Sequence, residues 1–509
     1  LRLACRLTKA DLRDVDPQRT RKQHTKREKT APVGEILSGV FGCRTGRVRD
    51  TVGFMDLPTL KQKLEQRAIR KVKVGGFDID GVLRGKYVSL EKFMSMAEHG
   101  FGFCDVIFGW DIGDVLYDNA KVTGWHSGYP DAHAIIDLDT FRVLPAEPDT
   151  AAFLVDFVEG SEGAHTPHPA CPRSLLKRVL GEARSRGYEA SFGAEFEFWV
   201  FKETPESLQE KGFRGLTPLS PGMFGYSWLR EEQNRAFCHA ILDEMAAFDI
   251  DIEALHTETG PGVYEVALRY DDALRAADKA ALFKTQLKSL ASRHGLSVTF
   301  MAKWSHDLPG SSGHLHQSLW STGDTRKNVF FDASAEGKLS ALGRHYVGGL
   351  VALMPELTAL YSPTINSYKR YVPGVWAPLT ASWGLENRTC AVRVIPGSST
   401  STRVEYRQTA ADINPYIAIA TCVAAGLWGM ENRVEPPAAS RGDASSAEAL
   451  APLPRTLKDA TNALASSQRA RELLGSAFVD HYVRTRDWEV RQFERVVTDW
   501  ERKRYFESI

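Results

Sequence analysis

Apolar and polar positions alternate along Ser191-Phe-Gly-Ala-Glu-Phe-Glu-Phe-Trp-Val200, a run rich in aromatic residues. A period of two with that composition predicts a buried β-strand. Alternation sets Glu195 and Glu197 on one face and Phe196, Phe198 and Val200 on the other. Two neighbouring carboxylates that lose hydration repel each other, so an apolar interior rejects them, and a divalent cation removes both objections. The simpler alternative is the solvated face of an edge strand. The aromatic opposite face and the further acids downstream weigh against it.

The pattern elsewhere predicts a mixed set of elements. Residues 1–53 read as a basic, disordered extension, because Arg19 to Lys29 is dense in Arg and Lys and has no apolar period. Asp11, Asp14, Asp16 and Glu28 speak against a mitochondrial targeting peptide. From Leu57 onward a helix (Thr59 to Arg67), a strand (Lys71 to Val74) and a pair of strands turning at Asp80-Gly81 are expected, then a helix from Met94 to Phe101 and a strand from Ala134 to Leu144. These make a small α+β unit over residues 54–160, with residues 161–509 as a second, larger domain. In the second, helices are expected at Ser174 to Arg186, Arg230 to Phe248 and Asp272 to His294, and strands at Val266 to Tyr270 and Leu296 to Met301. A loop from Val434 to Pro454 precedes two or three C-terminal helices.

Composition narrows the class. Lysine plus arginine equals aspartate plus glutamate, 64 each in 509 residues, so no net field points to nucleic acid or a membrane surface. Seven cysteines without a CxxC pair fit free thiols in a reducing, cytoplasmic setting. The apolar run Ile417 to Met430 is too short to span a bilayer and reads as a core helix.

Chemistry gathers on strands and turns. Glu258 and Glu265 flank a Gly-Pro-Gly turn that can fold both acids towards one point. His314 and His316 alternate, so their rings share a side, as do Arg403, Glu405 and Arg407. Each signal has a plain alternative: a core histidine, a salt-bridge ladder, or, for Asp111 in Phe108-Gly-Trp-Asp111, a turn cap. Together, five glutamates and a histidine beside several arginines suit Mg²⁺ or Mn²⁺ and an anionic, phosphoryl-bearing substrate. No Walker A or kinase-type glycine loop is present.

At this point a family resemblance becomes specific. Ala194-Glu-Phe-Glu-Phe198, His256-Thr-Glu258 with Pro261-Gly-Val-Tyr-Glu265, Gly310-Ser-Ser-Gly-His-Leu-His-Gln-Ser318, Asn366-Ser-Tyr-Lys-Arg-Tyr-Val-Pro-Gly374, Asn387-Arg388 with Arg393, and Arg403-Val-Glu-Tyr-Arg407 before Asn414-Pro-Tyr416 occur in the order of the glutamine synthetase family. The resemblance covers about residues 60–509. It implies an α+β fold with an N-terminal β-grasp-like domain and a larger catalytic α/β domain. It further implies homo-oligomers of ring-shaped hexamers, with sites at subunit interfaces. Its substrates would be glutamate, ATP and an amine, with two or more Mg²⁺ or Mn²⁺ ions per site.

Carried over position by position, Glu197, Glu258 and Glu265 would hold one metal and Glu195, His314 and Glu405 the second. Tyr270, His316, Ser318 and Arg403 would contact the nucleotide, and Arg388 and Arg393 its phosphates. Arg370 and Arg407 would grip the carboxylates of glutamate, beside Gly310, and Asp111 would serve the amine. Two departures stand out. The flap motif Pro-Gly-Tyr-Glu-Ala-Pro is here Pro373-Gly-Val-Trp-Ala-Pro378, which resembles the glutamate–amine ligase branch, and Pro309 replaces an asparagine ahead of the glycine-rich loop. Trp376 thus replaces an acid that serves ammonium. An ATP-dependent ligase joining an organic amine or polyamine to glutamate is expected. Glutamine synthetase proper and a non-catalytic relative are the alternatives.

Overall fold

In the computed structural model, residues 55–160, 165–444 and 450–509 are described. The expected basic extension lies outside them. The fold is α+β, built on two sheets.

Six strands come first: β1 (Lys71–Phe77), β2 (Leu83–Ser89), β3 (Phe101–Cys104), β4 (Asp131–Leu144), β5 (Glu147–Glu159) and β6 (Thr166–Pro167). They form a sheet in the order β2-β1-β5-β4-β3, with β6 on β5. Nine more follow: β7 (Tyr188–Phe201), β8 (Ile252–Thr257), β9 (Val263–Leu268), β10 (Asp271–Asp272), β11 (Ser297–Thr299), β12 (Leu315–Ser321), β13 (Trp383–Leu385), β14 (Val392–Ile395) and β15 (Arg403–Tyr406). Their sheet runs β13-β14-β15-β12-β7-β9-β8, so the acidic strand β7 is central, not an edge. Phe196, Phe198 and Val200 are buried on its back, where Phe196 and Phe198 meet Phe283 of the helix Ala273–Arg293. That packing turns the opposite row, Glu195 and Glu197, towards a single open face.

Ion pairs and side-chain amides join the two sheets. Arg173, buried on the helix Pro172–Ser185, pairs with Asp137 and Asp156 of the first sheet and with Asp278 at 2.8–2.9 Å. At the expected Asp80-Gly81 turn, the Asn414 amide donates to the carbonyls of Asp78 and Ile79. The apolar run 417–430 lies in the buried helix Pro415–Glu431. Among the described residues, no helix is long and apolar enough to cross a membrane.

Several boundaries differ from the pattern. The helix expected at Met94 to Phe101 is Leu90–His99: the Ser89 hydroxyl caps its start, Gly100 (φ 69°) ends it, and Phe101 opens β3. The helix expected at Arg230 to Phe248 breaks into Trp228–Gln233 and Arg235–Ala247 at Asn234, whose side chain donates to the Ser220 hydroxyl and the Arg230 carbonyl. Strand β5 is an addition, and four helices, Leu457–Ser466, Gln468–Leu474, Ser476–Glu494 and Asp499–Tyr505, replace the two or three expected at the C-terminus.

Candidate active site

Strand register assembles the acidic face. Glu197 of β7 pairs directly with Glu265 of β9, and Glu265 in turn with His256 of β8. The Gly-Pro-Gly turn closes this hairpin with Gly262 at φ 74°, where a Cβ would sit 2.7 Å from the Val200 carbonyl oxygen, so no larger residue fits. The turn brings Glu258 beside its partners: ligand atoms of His256, Glu258 and Glu265 lie within 4.8 Å of one another. On the other flank, β12 pairs His316 with both Gly193 and Glu405, and β14 sets Arg393 opposite Glu405. Glu195, His316 and Glu405 form the second such group, again within 4.8 Å. His314 is the residue just before β12, not within it, but its carbonyl accepts from the Glu195 N–H at 2.9 Å. Its Nδ1 lies 3.5 Å from Glu195 and 3.4 Å from Glu405.

The two groups are balanced differently. Burial would raise the pKa of Glu195, yet His314 and His316 hold it well below the usual carboxylate range. Burial likewise opposes the ionised form of Glu405, but His314 and Arg407 bring it to about 2. Arg393 Nη1 reaches Glu405 at 3.1 Å, and Arg407 is paired with the other oxygen. In the first group, burial and then Glu265 push Glu197 up to about 7, and the same two causes raise Glu258. Among the described residues the imidazole within it is His256, and Arg370 acts on Glu197 from beside the group. Burial disfavours the charge on His256, but Glu265 lifts the imidazole to about 9.

A divalent ion fits these residues. His314 Nε2 is buried without a hydrogen-bond partner, and His316 Nε2, 2.9 Å from Glu195, is off the line of a hydrogen bond. Orphaned imidazole nitrogens beside converging carboxylates are a donor set for Mg²⁺ or Mn²⁺.

The remaining expected residues divide. Arg370 and Arg407 are buried. Arg370 donates to the Gln408 carbonyl at 3.1 Å, and Arg407 Nε to that of Arg388. Gly310 has no room for a side chain, since a Cβ would meet the Ala302 carbonyl oxygen at 2.7 Å and Arg370 Cγ at 2.8 Å. Arg403 donates to His316 Nδ1 at 3.2 Å. Ser318 accepts from the Trp320 indole, and the exposed Tyr270 follows β9 and passes Gly193 closely. Arg388 is exposed in the turn between β13 and β14, and Trp376 is 69% exposed on the loop after Tyr371. Asp111 is not free. It accepts from Gly113 and Val115 N–H and from the Trp488 indole at 2.8–2.9 Å, away from both carboxylate groups in its bonding.

Three residues join the site that the sequence did not mark. His256 sits inside a quoted motif without a role, and its placement two residues before Glu258 on a strand was the available signal. Tyr226 stacks on His256 at 4.4 Å with rings 19° apart, and its phenol feels Glu258, Glu265 and Arg388. Ser312 binds Glu197. Tyr226 had no local signal, whereas Ser312 sits inside the quoted glycine-rich motif without a role.

A face of paired carboxylates and histidines ringed by arginines, on the strands of an α+β fold, is an arrangement able to hold divalent cations beside an anionic substrate. Comparisons make the class specific. Residues 169–505 match the model of the glutamine synthetase catalytic domain. The chain is 48% identical over 442 residues to type-1 glutamine synthetase 2 of Dictyostelium discoideum, covering 86% of this chain and 84% of that protein. It is 38% identical to the glutamate–isopropylamine ligase of a Pseudomonas species (88% and 97% covered) and 38% identical to the gamma-glutamylethanolamide synthetase of Streptomyces coelicolor (85% and 91%). A solved structure of a GmaS/ADP complex superposes with a TM-score of 0.76 at 29% identity, covering 88% of this chain and 99% of that one. The chain belongs to the glutamine synthetase family. It is an ATP-dependent glutamate–amine/ammonia ligase of a family that depends on divalent metal.

Proposed function

We propose that this ligase joins an organic amine, in preference to ammonia, to the γ-carboxylate of glutamate. The observation that carries the proposal is Trp376, an exposed indole at the flap position where the resemblance expects an acid. Ammonium is small and charged, and selecting it calls for an anion that also accepts its proton. An indole accepts no proton and offers a cation–π face of about 1–2 kcal/mol when desolvated. A larger amine also packs its hydrocarbon on such a ring, at about 0.8 kcal/mol per buried methylene. The names of the isopropylamine and ethanolamide relatives support this choice. The 48% identity to a protein named glutamine synthetase favours the second reading, ammonia as the acceptor.

In the proposed reaction a γ-carboxylate oxygen of glutamate attacks the terminal phosphorus of ATP and ADP leaves. The amine then attacks the acyl carbon of γ-glutamyl phosphate, and phosphate departs. Glu197, Glu258 and Glu265 would hold one divalent ion, and Glu195, His314 and Glu405 another. Such ions, when bound, neutralise phosphate charge and polarise the phosphoryl group. Arg370 and Arg407, beside Gly310, are assigned to the carboxylates of glutamate, and Arg388 and Arg393 to the phosphates. Tyr270, His316, Ser318 and Arg403 are assigned to the nucleotide. The ring is proposed to be built from units 54–160 and 161–509, and Asp111 could serve a neighbouring subunit's amine only by giving up a partner such as the Trp488 indole.

ADP release with glutamate and Mg²⁺ across alkyl, polyamine, aryl and ammonium acceptors tests the proposal. An organic amine should show the highest kcat/KM, and Trp376→Glu should move preference towards ammonium. Glutamine formed from ammonium faster than any amide would establish the second reading. A fully active monomer in light scattering would overturn the shared-site assembly.

A further inference from the structure

The glycine-rich loop carries two adjacent serines that face opposite ways. Ser311 is fully buried. Its hydroxyl accepts from the Trp199 indole at 2.9 Å, and its backbone binds the Ala302 carbonyl at 2.8 Å. Ser312 faces the carboxylates: its N–H donates to Glu197 Oε2 at 2.8 Å, and its hydroxyl donates to Glu197 Oε1. The Glu197 N–H donates back to the Ser312 carbonyl at 3.0 Å. The flanking backbone fixes this arrangement, because a Cβ at Gly313 would lie 2.5 Å from the Ala410 carbonyl oxygen. Both oxygens of Glu197 are therefore clamped by one residue, while its directly paired neighbour Glu265 presses on it from β9.

We infer that Ser312 is a positioning residue for the first divalent ion: it fixes the rotamer of Glu197 and leaves each oxygen one lone pair for the cation. The inference rests on Glu197 being a ligand of that ion. A carboxylate repelled by an acid beside it swings away unless a donor holds it, and partners of this kind typically govern metal affinity by about 10–100-fold. Ser311, which bonds on the other side, has no such part.

Mn²⁺ titration of the substrate-free protein by calorimetry, with thermal melts of the same variants, tests this. Ser312→Ala should weaken one class of Mn²⁺ site by about 10–100-fold with little change in Tm, and Ser312→Thr should restore it. Ser311→Ala should lower Tm and leave Mn²⁺ affinity unchanged. Glu197→Gln separates the two levels of the claim. If it removes no site, Glu197 is not a ligand and the reading beneath the inference fails. If it removes a site while Ser312→Ala binds Mn²⁺ as the wild type does, the positioning role is overturned. Equal loss of affinity in the Ser311 and Ser312 variants also overturns it, because the loop would then act only through its fold.

Discussion

Two acidic groups share the face of β7, and they solve the same electrostatic problem in different ways. Around Glu405 the chain supplies its own cations, Arg393 and Arg407, with two histidines, and the carboxylates there stay ionised despite burial. Around Glu197, Glu258 and Glu265 the described residues supply His256, and Arg370 acts on Glu197 less strongly than burial and Glu265 do, so the pKa values of Glu197 and Glu258 rise. Charge left uncompensated in a half-buried place stores free energy that a divalent cation can release. The Glu197 group therefore stands to gain more from a bound cation, whereas the Glu405 group is closer to balance without one.

The largest expected effect breaks the dependent group. Glu197→Ala removes one proposed ligand and leaves Glu265 and Glu258 facing each other across His256. Turnover should fall by about 1000-fold or more, the several kcal/mol a catalytic ion contributes. Steady-state ADP release at saturating Mg²⁺ is the measurement, and wild-type rates there would end the two-ion assignment. Partial recovery at high Mg²⁺ would sharpen the comparison, showing a weakened site and not a lost one.

A second contrast lies away from the face. His168 and His481 are both buried; the carboxylate of the exposed Glu159 lies 3.7 Å from His168, and none among the described residues pairs with His481. Burial lowers His168 to about 4, and burial with His168 and two arginines lowers His481 to about 3. Neither ring nitrogen of His481 has a hydrogen-bond partner. Both residues are neutral when folded and titrate near 6.5 when unfolded. Their cost is therefore absent above pH 6.5 and grows as pH falls, because the unfolded chain takes up the protons first. At about 1.4 kcal/mol per unit, His481 alone should account for roughly 2–3 kcal/mol between pH 6.5 and 4.5. Urea melts of wild type and His481→Leu across that range give the difference. Parallel pH profiles would mean that His481 is protonated in the folded chain.

Much of this arrangement was legible in the sequence where local pattern decides it. The alternation at 191–200 showed both faces of β7, and Gly187 and Gly295 stand where helices were expected to stop, each with a positive φ; Gly100 does the same, but the expected helix ran past it to Phe101. The acids and histidines were legible because strand spacing aims them. What was not legible depends on register and long-range contact. The break at Asn234 carries no glycine or proline, and its side chain reaches Ser220. His256 matters only because β8, β9 and β7 align it with Glu265 and Glu197. Tyr226 enters through its stack on His256, and Ser312 through a loop wedged against Ala410. Asp111 looked available in sequence, yet the Trp488 indole, 377 residues away, occupies its second oxygen.

The smallest effect tests the balanced group directly. Arg407 sits against Glu405, with Nη1 3.5 Å from His314 Nδ1, so its charge opposes any cation bound between them. Replacing it by Gln keeps a hydrogen-bonding side chain and removes one positive charge. At an effective dielectric near 20, a unit charge several ångströms away changes binding by about 1–3 kcal/mol. Loss of packing around the buried guanidinium offsets part of that. Arg407→Gln should therefore tighten one class of Mn²⁺ site by roughly tenfold in calorimetry. It should also raise KM for glutamate, to which Arg407 is assigned. The opposite signs are the useful feature, because a misfolded site would weaken both. The other class of site, at Glu197, should bind Mn²⁺ as before, since the cations acting on it, His256 and Arg370, are left in place. Weaker Mn²⁺ binding at both classes would show that Arg407 supports the whole face as one structure, and the distinction between a balanced and a dependent group would not hold.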